Sequence, residues 1–216
     1  MLTPEQLAAL RLDYSQRGLR RTELDPDPVT QFNHWLAEAL QQEIPEPNAM
    51  VLSTVDAGGQ PWSRTVLLKV CDARGFAFFT NYDSAKGRHL GAHPHAALSF
   101  LWVPLERQVN IAGTVTKTSR EESERYFHTR PTGSQLGAWA STQSAAIADR
   151  AQLEKQFEEA RAKFGETAIP LPPNWGGYTL APHTIEFWQG RGSRLHDRLR
   201  YSRQPDRSWK VERLSP

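Results

Sequence analysis

The sequence lacks most of the features that identify a protein at a glance. It has one cysteine, Cys71, in 216 residues, which excludes an intrachain disulfide, a CxxC redox pair and a thiolate metal cluster. The formal net charge is only +2, so bulk electrostatics give no reason to expect nucleic acid. No stretch approaches the roughly 20 apolar residues of a membrane helix. The opening MLTPEQLAAL has neither the basic region nor the long apolar stretch of a signal peptide, and a soluble cytoplasmic protein is expected. There is no GxSxG elbow, no GxxxxGK(S/T) loop and no GxGxxG after a strand; Gly190-Arg191-Gly192 does not have that spacing. Paired carboxylates for hydrolysis are not evident. His93-Pro94-His95 has no carboxylate or cysteine nearby to complete a zinc site, so no metal is expected.

Aromatic surface is abundant. Seven tryptophans and a hydrophobic fraction of 38% allow a real core and leave flat faces on which rings could stack. Basic residues are unevenly spread. Residues 191–213 carry eight Lys or Arg against three Asp or Glu, which fits either a local anion site or a solvated face.

Helix signals open the chain. Thr3, Pro4 and Gln6 form a capping-box start, and Phe32, Trp35, Leu36 and Leu40 recur at helical spacing in a second helix. From residue 49 the texture becomes that of strands. Residues 50–55 run into the turn Asp56-Ala57-Gly58-Gly59, and further strands are expected at 64–70, 76–80, 96–102 and 108–118. Ser84 can cap a short helix to Leu90. Ser119 and Glu122 form a capping box for a helix ending near Thr129, where Pro131 stops it. Residues 149–164 carry the clearest helical stripe, with Gly165 as its cap. Residues 169–177, rich in Pro and Gly, are expected as an ordered loop, and two strands at 183–189 and 209–214 end the chain. Short strands joined by tight turns predict a mainly β fold with flanking helices, an antiparallel barrel rather than a parallel βαβ sheet.

Four clusters could carry chemistry. In RTVLLK (64–69), Arg64 and Lys69 flank Thr65, Val66, Leu67 and Leu68. A phosphate would compensate cations held at the ends of a buried strand; two surface charges are the plain alternative. Strict alternation puts Arg64 and Lys69 on opposite faces, so a shared ligand requires a bulge or bend. In residues 80–88, a strand ends in a polar turn and a helix begins, a geometry suited to phosphate but equally to ordinary capping. In residues 126–134, Tyr126 and Arg130 lie four apart on one helical face, with Ser134 following in a Gly-containing turn. Arg130 could hold a phosphate ester or simply the last helix carbonyls. In residues 188–198, an extended backbone would place Arg194, His196 and Arg198 on one face, as an anion site or as an exposed basic edge strand.

These clusters, with FFTNYDSAKG (78–87), ERQVNIAG (106–113), YFHTRPTGSQLGAWAS (126–141), PNWGGY (173–178), IEFWQG (185–190), RLHDR (194–198) and the ending WKVERLSP (209–216), resemble the pyridoxamine 5′-phosphate oxidase family. The resemblance runs from about Arg11 to the C-terminus. It implies an FMN-binding split β-barrel, antiparallel and Greek-key-like, preceded by an N-terminal helical segment (1–25) that can cover the substrate. The remainder (26–216) would carry the barrel and a C-terminal dimerisation region. It implies a homodimer with FMN at the interface. Arg64, Lys69, Thr80, Lys86 and Gln108, with Phe79 alongside, would hold FMN from one subunit; Gln143, Ser144, Trp188 and Arg198 would reach it from the other. The segment Thr65, Val66, Leu67 and Leu68 would line that site. Lys69, Tyr126, Arg130 and Ser134 would grip the substrate phosphate, Arg194 and His196 would act at the reacting carbon, and Arg11 and Tyr14 would fold over the substrate.

The implied activity is oxidation of pyridoxamine or pyridoxine 5′-phosphate to pyridoxal 5′-phosphate by O₂, giving hydrogen peroxide, and ammonia from the amine. One departure stands out. The family commonly reads Ser-Arg-Lys where this chain has Ser84-Ala85-Lys86, so one cation toward the flavin phosphate is missing. A phenazine-type flavin oxidase is a rival disfavoured by Tyr126, Arg130 and Ser134. A non-catalytic flavin or pyridoxal-phosphate carrier is disfavoured by Arg194 and His196.

Overall fold

The computed structural model describes residues 2–10, 13–165 and 167–216; Arg11 lies outside them. Among the described residues there are nine strands: β1 (Ala49–Val55), β2 (Pro61–Leu67), β3 (Val70–Asp72), β4 (Gly75–Asn81), β5 (His95–Trp102), β6 (Arg107–Lys117), β7 (Trp175–Gln189), β8 (Asp197–Arg203) and β9 (Trp209–Leu214). The described residues also form six α-helices: α1 (Pro4–Ala8), α2 (Pro28–Gln41), α3 (Ala85–Ala92), α4 (Arg120–Thr129), α5 (Thr132–Ala140) and α6 (Arg150–Phe164). The strands form one antiparallel sheet in the order β2-β1-β5-β6-β7-β4-β3, with β8 added to β7 and β9 to β8; it is not closed. The expected mainly β, antiparallel fold with flanking helices is what forms. No described helix is long and apolar enough to cross a membrane.

The chain divides into two units: Ala49–Leu98 with Ala112–Pro182, and Met1–Asn48 with Ser99–Ile111 and His183–Pro216. In the first, β1 and β2 make the expected hairpin. Asp56 Oδ1 accepts from the Gly58 and Gln60 N–H groups at 2.9 and 3.0 Å, and Gly59 takes φ +88°. The strand expected at 64–70 is displaced: β2 starts at Pro61 and stops at Leu67. Leu68 turns into the core, and the Lys69 N–H donates to the Ala77 carbonyl at 2.9 Å. This is the bend that sharing a ligand between Arg64 and Lys69 requires.

Ser84 and Ser119 cap their helices as the sequence predicts, and Asp149 caps α6, through side-chain oxygens that accept from Gly87, Glu122 and Gln152 N–H groups. Helix α5 was expected only as a turn. Its two glycines lower intrinsic helicity, yet Leu136 and Ala140 gain burial with Phe127, Ala160, Ile169, Leu171 and Trp175, and tertiary packing prevails. The loop expected at 169–177 likewise gives way at Trp175 to β7. The Gly pair there is a packing requirement, since a Cβ on Gly176 would come within 2.1 Å of Tyr82 Oη.

Gly87 sits in the first turn of α3, where a Cβ would lie 2.0 Å from the Tyr82 carbonyl oxygen. Backbone cannot yield as a flexible side chain can, so Gly87→Ala should cost about 3 kcal/mol by overpacking. Urea unfolding measures this directly; a loss below about 0.5 kcal/mol would show that the turn relaxes freely.

In the second unit, α2 buries Val29, Phe32, Trp35 and Ala39, while Leu40 stays exposed. Phe32 packs on Phe100 at 4.8 Å between ring centroids, and Trp35 meets Phe187 edge-on at 5.0 Å. Residues 197–203, not expected as a strand, form β8 between β7 and β9. Their alternation buries Leu199 and Tyr201, a pattern obscured in the sequence by the dense arginines between them.

Candidate functional site

In the unit containing β1–β4, a cavity of about 300 Å³ is lined by Arg64, Thr65, Val66, Leu67, Lys69, Phe79, Thr80, Asn81, Lys86, Tyr126, Arg130, Gln143 and Trp175. Four cations converge on it, and no Asp or Glu is among these lining residues. Arg64 comes from β2, Lys69 from the bend after it, Lys86 from the first turn of α3 and Arg130 from the C-cap of α4. Such convergence is unfavourable without an anionic partner.

Arg64 and Lys86 are held by neutral groups. Arg64 Nη1 donates to Thr54 Oγ1 at 2.6 Å and to the Leu52 carbonyl at 3.2 Å, and burial lowers its pKa. Lys86 Nζ donates to Gln143 Oε1 at 2.9 Å, Thr80 Oγ1 at 3.2 Å and Ser84 Oγ at 3.4 Å. Burial first, and then repulsion from Arg64, push its pKa down to about 8. Arg130 Nη1 is buried without an acceptor, and no described carboxylate pairs with the guanidinium. Burial lowers its pKa and raises that of Tyr126. The wall beside them is aromatic: Phe79 stacks on Tyr126 at 4.0 Å and on Trp175 at 5.7 Å, with interplanar angles of 20° and 13°.

A second cavity, of about 520 Å³, lies in the other unit and is lined by Leu10, Asp13, Tyr14, Trp188, Arg191, Ser193, Arg194 and His196. The rings of Trp188 and His196 lie 4.7 Å apart, and Tyr14 meets them at 5.7 and 5.6 Å. His196 Nδ1 accepts the Arg191 N–H at 3.2 Å, which assigns the ring proton to Nε2. Arg194 is not on an extended face as expected. It ends a 3₁₀ turn with φ +59°, after Ser193 at φ +55°. Arg198 pairs with Glu186 at 2.8 Å and with the Ser215 carbonyl at 3.0 Å.

The expected residues therefore fall into groups. Arg64, Thr65, Val66, Leu67, Lys69, Phe79, Thr80, Lys86, Tyr126 and Arg130 share the first cavity. Tyr14, Trp188, Arg194 and His196 belong to the second unit's cavity, and Gln108 and Arg198 lie elsewhere in that unit. Leu68 is buried core, and Ser134 and Ser144 are exposed and do not line the first cavity. Gln143, expected to reach across from a partner, meets Lys86 and Thr80 of its own chain. Trp175 was not anticipated as a site residue. Its motif was visible, but the Pro and Gly around it read as loop.

Residues 36–164 match the family described as "Pyridoxamine 5'-phosphate oxidase", and residues 175–216 the "Pyridoxine 5'-phosphate oxidase C-terminal dimerisation region". A protein of Ralstonia nicotianae called pyridoxine/pyridoxamine 5′-phosphate oxidase 1 is 56% identical over 97% of this chain and 99% of its own length. A Burkholderia mallei pyridoxine/pyridoxamine 5′-phosphate oxidase is 55% identical over 97% and 99%. Among solved structures, PhzG from Burkholderia lata, in complex with tetrahydrophenazine-1-carboxylic acid, superposes with a TM-score of 0.87 at 32% identity, covering 94% of this chain and all of that one. A pyridoxamine 5′-phosphate oxidase-related, FMN-binding protein from Nostoc punctiforme shares the fold, with a TM-score of 0.71 at 19% identity over 90% of this chain and 99% of its own.

Proposed function

The chain belongs to the pyridoxamine 5′-phosphate oxidase family, whose members are oxidoreductases, and on that premise we propose that it oxidises pyridoxamine and pyridoxine 5′-phosphates to pyridoxal 5′-phosphate with FMN and O₂. The observation that carries this reading is the cavity of four cations without a carboxylate, beside a stacked aromatic wall. Its volume is at the lower end of the range for small-molecule sites, and its converging cationic donors fit phosphate esters. When bound, FMN would supply the redox chemistry, accepting a hydride from C4′ and returning two electrons to O₂ as hydrogen peroxide.

The protein's own part is positioning and polarisation. Arg64, Lys86 and Thr80 would hold the cofactor phosphate, with Phe79 beside it. Lys69, Tyr126 and Arg130 would hold the substrate phosphate and so fix where C4′ lies. Arg194 would orient the pyridine ring, and the His196 Nε2–H would donate to a substrate oxygen or nitrogen as the C4′ proton inventory changes. The alcohol substrate yields the aldehyde directly; the amine yields an imine that water converts to aldehyde and ammonia. The protein would act as a homodimer with FMN at the subunit interface, and residues 1–25, including Arg11 and Tyr14, would cover the substrate.

A ring carboxylate of the kind bound in the PhzG structure would meet the same cations, so the phosphate is the discriminating group. The purified protein, supplied with FMN, should consume O₂ with pyridoxamine 5′-phosphate and far less with pyridoxamine; failure to retain FMN, or equal rates with both, would overturn the reading. Arg194→Ala should lower kcat at least 100-fold while FMN affinity, measured by fluorescence quenching, stays within about threefold, as expected for removal of a group engaged mainly in the transition state. Near-normal turnover would remove Arg194 from the catalytic set.

A further inference from the structure

Arg130 is a half-buried cation with no described carboxylate partner, and its Nη1 atom is buried and finds no acceptor. Its main-chain contacts are ordinary for a helix end: its N–H donates to the Phe127 carbonyl at 3.1 Å, and its own carbonyl accepts from Gln135 Nε2 at 2.8 Å. These bonds fix the backbone but not the guanidinium. What the guanidinium does touch is aromatic. Its central carbon lies 4.7 Å from the Trp175 ring centroid and 5.6 Å from that of Phe127.

The Trp175 ring is itself fixed from two directions. Phe127 meets it edge-on at 5.2 Å and 68°, and Phe79 lies nearly parallel to it at 5.7 Å and 13°. Trp175 is buried and opens β7, opposite Asn81 at the end of β4. Its indole is therefore a rigid face bearing on a long, charged side chain.

The choice of an aromatic support has a chemical consequence. A carboxylate would fix Arg130 more strongly but would neutralise it and compete with an incoming phosphate. An indole face attracts the cation through its quadrupole and leaves every N–H free to donate. We propose that Trp175 is a positioning residue for the substrate, holding the Arg130 guanidinium ready for the phosphate without spending its charge. This rests on the reading of Arg130 as a phosphate ligand and adds to it the group that makes Arg130 effective.

The test is a double-mutant cycle on KM for pyridoxamine 5′-phosphate, using FMN-loaded enzyme. Trp175→Leu should raise KM about tenfold with kcat within twofold, and in an Arg130→Ala background the same change should add less than twofold. Trp175→Phe, which keeps a ring with a weaker face, should raise KM only two- to threefold, again only when Arg130 is present. That variant carries the test if Trp175→Leu does not fold. Equal effects of the Trp175 changes with and without Arg130 would overturn the proposal, because Trp175 would then act on ligand or fold directly. If Arg130→Ala itself leaves KM unchanged, the phosphate reading of Arg130 fails first and the positioning role fails with it. Unphosphorylated pyridoxamine should show no change in KM in any variant; a parallel rise there would mark a general loss of the site and overturn the role.

Discussion

In an Arg130→Ala variant, KM for pyridoxamine 5′-phosphate should rise about 10- to 150-fold, while kcat stays within about threefold. The range comes from the roughly 1.5–3 kcal/mol that a hydrogen bond to a charged group contributes, at about 1.4 kcal/mol per tenfold. Arg130 belongs at the upper end because its guanidinium is already partly desolvated and already seated on the Trp175 ring, so binding loses little to reorganisation. The stability of the ligand-free protein should move the other way or not at all. Removing a half-buried cation that lacks an anionic partner relieves a desolvation cost, and melting of the FMN-free protein should show an unchanged or raised Tm. Arg130→Lys should recover only part of the affinity, since an ammonium cannot offer the paired donors of a guanidinium. Unchanged KM in Arg130→Ala would place the substrate phosphate elsewhere, with Lys69 and Tyr126 no longer part of one grip.

Much of this arrangement can be read from the sequence, and the parts that cannot share a cause. Capping residues are local, so Ser84 and Ser119 are legible as helix starts. Hairpin β1–β2 is legible from Asp56-Ala57-Gly58-Gly59 because turn chemistry is local too. Helix α5 is not, because its glycines speak against helix and only contacts with Phe127 and Ala160 decide otherwise. Strand β7 is misread at its start because Gly176 and Gly177 signal flexibility locally but are required by the close approach of Tyr82 and Thr118. The same holds for the site. Arg64, Lys69, Lys86 and Arg130 stand out as cations in unusual company, but their convergence depends on the bend at Leu68–Lys69 and on the α4 C-cap. Trp175 was overlooked because nothing near it in sequence carries charge; its partner lies 45 positions earlier.

FMN affinity should fall as pH is raised above about 8, and Lys86→Gln should abolish that fall. Among the four cations of the cavity, Lys86 is the one whose pKa its surroundings bring into the working range. Burial and Arg64 bring its pKa to about 8, and its three contacts, Thr80, Ser84 and Gln143, are all neutral. A phosphate ester is already a dianion in this range, its second pKa lying near 6, so the ligand contributes no titration of its own there. Binding the dianion beside Lys86 favours the ammonium, and above pH 8 the complex must take up the proton that the free protein has lost. Affinity should then decline by up to about tenfold per pH unit until the bound-state pKa is reached. The ligand-free protein should show the opposite trend. Its folded pKa for Lys86 lies below the ordinary value of 10.5, so between about pH 8 and 10.5 the unfolded chain binds more protons, and this group's contribution to stability rises with pH. A falling affinity with no loss of Tm in the ligand-free protein separates proton linkage from alkaline unfolding. Lys86→Gln should bind FMN about 10- to 100-fold more weakly at pH 7, with a flat profile from pH 7 to 9.5. The preceding position is Ala85, which adds no charge of its own beside Lys86. A wild-type profile that is flat across pH 7–9.5 would mean that Lys86 stays charged without ligand, and that Thr80, Ser84 and Gln143 solvate it better than its burial implies.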